Sequence, residues 1–211
     1  MIKVNNLTCV RGDRLLFTNL SLSLSPGQLL HIKGANGSGK TTLLRAICGL
    51  FIPQQGDILW NDANIDSLDE DYRREFFYLG HLNGIKDDLN ALENLAISNR
   101  LNNNELNNEQ ICDALGKMGL AGFEELPTKM LSQGQKRRVA LTHLLLNSTP
   151  LWILDEPFVA LDTNAVQLLQ SVIADKLQNG GLVLLTTHQE VALPTGEIYQ
   201  LQLGTAAEAA G

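Results

Sequence analysis

The sequence predicts an α/β fold with a parallel-sheet core, a flanking antiparallel β subdomain and a helical subdomain. Three observations predict it. A glycine-rich loop, Gly34-Ala35-Asn36-Gly37-Ser38-Gly39-Lys40-Thr41, joins a short apolar run to a helical run. A second apolar run ends in the paired carboxylates Asp155 and Glu156. Between them, from roughly Ile85 to Met130, apolar residues such as Leu89, Leu92, Leu95 and Ala96 recur at helical spacing.

The elements follow in order. Met1 to Gln28 alternates apolar and polar residues, with turns at Arg11-Gly12-Asp13 and Pro26-Gly27, which reads as antiparallel strands. Leu29 to Ile32 is a short buried strand leading into the glycine-rich loop. Thr42 to Cys48 is the helix leading out, stopped by Gly49 and Pro53. Gly56 to Trp60 adds a strand to the antiparallel sheet. The helical stretch is interrupted from Asn99 to Asn108, where six Asn fall in ten residues, because Asn favours turns and caps over helix interiors. Gly134 to Leu146 is a helix. Pro150 to Leu154 is a strand, Asn164 to Gln178 a helix ended by Gly180-Gly181, and Leu182 to Thr186 a further strand. The small, polar tail Gly204 to Gly211 is expected to fray. The expectation is one domain over 1–211. Its core and antiparallel sheet come from about 1–84 and 151–211, and its helical subdomain from 85–150.

The glycine-rich loop matches G-x-x-x-x-G-K-[ST], the P-loop. Its glycines let backbone N–H groups close around phosphate oxygens, so Gly34, Ala35, Asn36, Gly37, Ser38, Gly39, Lys40, Thr41 and Thr42 are candidate nucleotide contacts. Lys40 sets a positive charge on the β- and γ-phosphates, and the Thr41 hydroxyl is a candidate Mg²⁺ ligand. The helix N-terminus adds its dipole at the phosphates. A carboxylate at the C-terminal end of a buried strand fits the crevice of a parallel sheet, so Asp155 is expected to hold Mg²⁺ through water. Glu156 beside it is a candidate general base for an attacking water. Leu131-Ser132-Gln133-Gly134-Gln135 is a second phosphate-binding element, with no task on a nucleotide that the first loop already wraps. It suggests a site shared between two copies of the fold.

Gly34 to Thr41, Leu131 to Gln135, Leu154 to Pro157, Ala160-Leu161-Asp162 and His188, in that order, resemble the motifs of the ATP-binding-cassette ATPases over nearly the whole chain. The resemblance implies a RecA-like P-loop NTPase core that uses ATP and Mg²⁺. It implies that Ser132, Gly134 and Gln135 contact the γ-phosphate of ATP on the other subunit of a homodimer, with Asp162 at the seam. His188, after the strand Leu182 to Thr186, would reach the γ-phosphate.

Two positions depart from that pattern. In Tyr78-Leu79-Gly80-His81-Leu82-Asn83-Gly84, His81 stands where the family carries a Gln near the Mg²⁺ and the lytic water. A neutral imidazole offers one donor and one acceptor, and belongs to a residue type that titrates near neutral pH. Thr8 to Arg14 also lacks the aromatic residue that usually stacks on adenine, leaving the planar guanidinium of Arg11 or the ring of Phe17 for that task. Together with Asn6 to Gly12, Ala91 to Leu95 and Leu131 to Arg138, these departures resemble one branch, the ATPase subunit of the bacterial haem exporter of cytochrome c maturation. That implies polytopic membrane subunits as partners and haem delivery to a periplasmic chaperone. No haem ligation by this chain is expected. Its place would be peripheral, on the cytoplasmic face of the inner membrane. By analogy the branch would meet its membrane partner near His81 to Leu92, where Leu82, Ile85 and Leu89 read equally as apolar docking residues or as a plain helix core.

The bulk numbers fit. A chain of 211 residues carries 23 acids against 16 bases, a net charge of −7 that disfavours a nucleic-acid groove. No run of 18 apolar residues offers a membrane span, and the alternating start at Met1 is unlike a signal peptide. Cys9, Cys48 and Cys112 are isolated and read as reduced packing residues. Two other readings stay open: the ATPase of another small transporter or a soluble system, and a nucleotide-dependent scaffold that hydrolyses slowly because of His81.

Overall fold

Burial on both faces separates one sheet from the other. The computed structural model describes residues 1–101, 106–188 and 197–204. Its parallel sheet has the order β6-β7-β8-β3-β9: β6 (Phe76–Leu79), β7 (Leu151–Asp155), β8 (Leu182–Thr186), β3 (Gln28–Gly34) and β9 (Glu197–Leu203). Every residue of β7 and β8 is buried, as a strand covered by helices on both sides requires. Side chains alternate between the faces. Leu151, Ile153, Leu182 and Leu184 join one core with Leu43, Leu44 and Ile47. Trp152, Leu154, Val183 and Leu185 join the other with Leu95, Leu141 and Ile173. Cutting one such leucine to alanine costs about 2–5 kcal/mol.

The antiparallel sheet has the order β2-β1-β4-β5: β1 (Ile2–Arg11), β2 (Arg14–Leu24), β4 (Gln55–Trp60) and the short β5 (Ala63–Asn64). It packs its apolar face onto α1 (Lys40–Ile47), inside the first core. Two four-residue helices, α2 (Ile65–Leu68) and α3 (Glu70–Arg73), lead into β6. The helical part holds α4 (Ala91–Leu101), α5 (Asn108–Lys117), a 3₁₀ turn at Thr128–Met130 and α6 (Gln133–Leu146). The helix α7 (Thr163–Gln178) then crosses from β7 to β8.

Polar side chains set the helix starts. Asn107 and Ser132 each form a capping box, with Gln110 and Gln135, and the Asp162 carboxylate accepts the Ala165 N–H. The helix expected from Gly134 therefore begins at Gln133, and the strand expected from Pro150 begins at Leu151 and includes Asp155.

The structure corrects two readings and decides between two others. The helical stretch expected from Ile85 starts only at Ala91, where Asn90 and Glu93 exchange side chain-to-backbone bonds at 2.7 and 2.9 Å. Asn99 does not break that helix. It is buried within it and donates to the Leu95 carbonyl at 2.8 Å, which satisfies the amide locally. Residues 102–105 of the Asn-rich run, and 205–211 of the tail, lie outside the described residues. Of the three apolar docking residues, only Leu82 is fully exposed, because Leu89 is half-buried and Ile85 packs against the second core.

Candidate functional site

The P-loop begins where β3 ends. Gly34 sits in a cradle that a Cβ would fill, because that atom would meet the Ser38 hydroxyl at 2.5 Å and the Leu203 carbonyl at 2.6 Å. Gly39 caps α1 with φ 101°, a left-handed conformation that favours glycine. This geometry leaves the first-turn N–H groups of α1 facing the loop, free of intrahelical partners. Lys40 is buried and reaches back over the loop, donating to the carbonyls of Gly34 at 2.7 Å and Ala35 at 3.2 Å. Ser38 is buried beneath, and its hydroxyl makes no hydrogen bond to a described residue.

Asp155 ends β7 and is the most tightly held acid of the site. Oδ2 accepts the Thr41 hydroxyl at 2.8 Å and Oδ1 accepts the Thr186 hydroxyl at 2.5 Å. Glu156 follows with φ 49°, a strained conformation for a side-chain-bearing residue. Its N–H donates to the carbonyl and hydroxyl of Thr186, both at 3.0 Å. That bend turns the Glu156 carboxylate toward His188, whose Nε2 lies 3.5 Å from Oε1 and 3.2 Å from the Asn36 side-chain oxygen. The buried Oε1 accepts no hydrogen bond from the described residues, and its ionisable neighbour is the His188 ring. Beneath His188, the buried His31 ring bonds the Thr187 carbonyl at 3.1 Å, and burial holds its pKa below the ordinary value.

Asn36, Lys40, Thr41, Asp155, Glu156 and His188 line one open cleft of about 460 Å³, together with Arg11, Leu16, Gly37, Gly39, Thr42, His81 and Val159. Lys40, Thr41, Asp155, Glu156, His188, His81 and Arg11 therefore meet around one cavity. Phe17, the alternative stacking residue, does not reach it. It is buried behind the loop, where a Cβ on Gly39 would touch its ring at 3.1 Å. Ser132, Gly134 and Gln135 lie outside this cleft. The Ser132 hydroxyl and the Gln135 amide are engaged with each other's backbone, at 3.2 and 2.8 Å. Gly134 passes so close to the Ala160 carbonyl that a Cβ would sit 3.0 Å from it.

The donor set fits Mg²⁺ bound with a nucleotide. One hydroxyl and one carboxylate converge beside a phosphate-sized cradle, as an ion that keeps water and phosphate ligands requires. Among the described residues no group of three or more His, Cys, Asp or Glu could hold a metal alone. Four residues in or beside the site escaped sequence reasoning. Thr186 was placed on its strand, yet only the register opposite Asp155 reveals its role. Leu16 and Val159 carry no chemical signal. Arg137, buried beside the Glu156 turn, was hidden in the basic run Lys136-Arg137-Arg138.

Residues 17–159 match the family described as ABC transporter. The chain is 53% identical over 203 residues to the cytochrome c biogenesis ATP-binding export protein CcmA of Nitrosomonas europaea, covering 96% of this chain and 95% of that one. It is 45% identical over 204 residues to the protein of the same name from Vibrio cholerae, covering 97% and 99%. A solved dimeric ATP-binding cassette in a post-hydrolysis state, bound to ADP and Pi, superposes with TM-score 0.83 at 25% identity over 96% of each chain. An ATP-binding protein described as a putative ABC transporter from Pyrococcus furiosus gives TM-score 0.82, also at 25% identity over 96% of each chain. With a RecA-like P-loop core, an antiparallel sheet and a helical part arranged around that cleft, this chain is an ABC transporter ATPase and belongs to the ATP-binding-cassette family.

Proposed function

We propose that this chain is the ATP-hydrolysing subunit of the haem exporter of cytochrome c biogenesis, working as a homodimer beneath polytopic membrane subunits. The observation that carries the hydrolytic part is the bend at Glu156. It sets the Glu156 carboxylate beside Asp155, with Oε1 3.5 Å from His188 Nε2, in the cleft that also holds Lys40. The names shared by relatives at 42–53% identity support the haem-exporter part. No helix among the described residues is long and apolar enough to cross a membrane, so attachment would come from other chains.

In this reading Lys40 leaves its loop carbonyls to meet the β- and γ-phosphates of ATP. Thr41 and Asp155 would hold Mg²⁺, which would supply charge neutralisation at the phosphate oxygens. Glu156 takes a proton from the attacking water, and His188 bonds a γ-phosphate oxygen while staying in reach of Glu156. His81, exposed at the cleft edge, orients the same water. Arg11 and Leu16 form the wall against which adenine rests. Ser132, Gly134 and Gln135 close the site of the other copy, with the N-terminus of α6 directed at its γ-phosphate.

Affinity purification of the tagged chain from membranes, with identification of the co-purifying chains and an ATPase assay, tests the proposal. Multispan haem-handling partners and vanadate-sensitive turnover are the expected result. Active enzyme with partners that handle another cargo would overturn the haem assignment and leave the ATPase assignment standing.

A further inference from the structure

The basic run after Ser132 hides one side chain unlike its neighbours. Arg137 is 4% exposed, although it belongs to α6 rather than to the cleft. Its guanidinium spends its donors on two segments far apart in sequence. Toward the catalytic turn, Nη2 donates to the carbonyls of Glu156 at 2.8 Å and Asp155 at 3.3 Å, and Nε to Pro157 at 3.3 Å. Toward the loop that carries His81, Nη1 donates to the Gly80 carbonyl at 3.3 Å and the Asn83 side-chain oxygen at 3.0 Å. The catalytic turn needs such support. Glu156 and Ala160 hold left-handed backbones, at φ 49° and 64°, that cost of order 1–3 kcal/mol each and persist only where surroundings enforce them. His81 itself is exposed and gains its position from the residues on either side of it.

We propose that Arg137 is a positioning residue for hydrolysis: it clamps the Gly80–Asn83 loop to the Asp155–Pro157 turn, and so fixes both the Glu156 carboxylate and His81 over the γ-phosphate. The inference rests on Glu156 being the base. Burying a guanidinium among carbonyls is costly, and burial pulls its pKa down against the opposing charges of Asp155 and Glu156. A planar fork with five N–H donors suits this task, and a lysine ammonium cannot span both segments. The P-loop makes no contact with Arg137 among these bonds, so nucleotide affinity and turnover should separate.

The test uses the full chain in its membrane complex, with ATP turnover and fluorescent-ATP binding measured for Arg137→Met, Arg137→Lys, Asn83→Ala and the double variant Arg137→Met/Asn83→Ala. A base displaced by about 1 Å costs on the order of 100-fold. Arg137→Met should therefore lower kcat by about 30-fold or more while the ATP Kd stays within about threefold, and Arg137→Lys should not rescue it. Asn83→Ala should lower kcat less, and the double variant should be no worse than Arg137→Met alone. Unchanged kcat in Arg137→Met, a parallel loss of kcat and affinity, or multiplying losses in the double variant would each overturn the clamp. If Arg137→Met does not fold, Arg137→Gln and Asn83→Ala decide on the same criteria. Glu156→Gln in the same assay separates the two readings, because normal turnover there removes the base rather than the clamp.

Discussion

The hydroxyl of Thr41 donates to Oδ2 of Asp155 across 2.8 Å, joining residues 114 positions apart. The bond ties the first turn of α1 to the end of β7, and the Thr186 hydroxyl holds the other carboxylate oxygen from β8. Three elements thus converge on one acid. Asp155→Asn replaces an acceptor by an amide that cannot carry the charge Mg²⁺ needs. Turnover should drop by roughly 100-fold, and the Mg²⁺ concentration for half-maximal activity should rise. A Mg²⁺ titration of activity checks this, and an unchanged half-saturation point would remove Asp155 from the metal site.

Lys40 and Glu156 line the same cleft yet should fail differently. Lys40→Ala removes the charge on the phosphates, so nucleotide binding and turnover should both collapse. Glu156→Gln keeps the shape and loses the proton acceptor, so turnover should fall by roughly 100-fold or more with ATP binding retained. Side-by-side binding and turnover measurements distinguish them. Near-normal turnover in Glu156→Gln would show that another group takes the proton.

His81 makes no hydrogen bond to a described residue that would be lost on substitution, and it lies at the cleft edge. His81→Gln restores an amide acceptor and should keep turnover within about threefold, while His81→Ala should lower it about tenfold or more. If both variants match the wild type, the residue is a plain loop position and the water is oriented elsewhere.

Acid should weaken the fold through His143. This ring packs 5.8 Å from Phe77, and burial pushes its pKa down from 6.5 to about 4. Between those values the unfolded chain binds a proton that the folded chain does not, so the contribution is full above about pH 6.5 and declines as pH falls toward 4. His143→Leu should flatten the pH dependence of the urea midpoint over that interval. Parallel curves for the two proteins would mean that His143 protonates without cost in the fold.

The site was more legible in the sequence than the sheet around it. The P-loop and the Asp155-Glu156 pair are local patterns whose spacing alone dictates their chemistry, and the structure brings them to one cleft. The strands β6 and β9 went unread. β6 is only Phe76–Leu79, four residues directly after the charged Arg73-Arg74-Glu75. β9 is an edge strand with mostly exposed side chains, so its Ile198, Leu201 and Leu203 pattern competes with a polar background. Phe17 was offered to adenine because sequence distance from the loop says nothing about which face of β2 it occupies, and it faces the core. Arg137 could not be found at all, because a basic triplet on a helix ordinarily faces water.

The central claim is that the site is completed by a second copy of the chain. Its most direct measurement is the mass in solution of Glu156→Gln with ATP and Mg²⁺, with ADP as the control. An ATP-dependent dimer is the expected result, lost when Ser132→Arg is added, since a bulky cation there would block closure on the other copy's nucleotide. A strict monomer with ATP bound, both alone and within the assembled membrane complex, would contradict it.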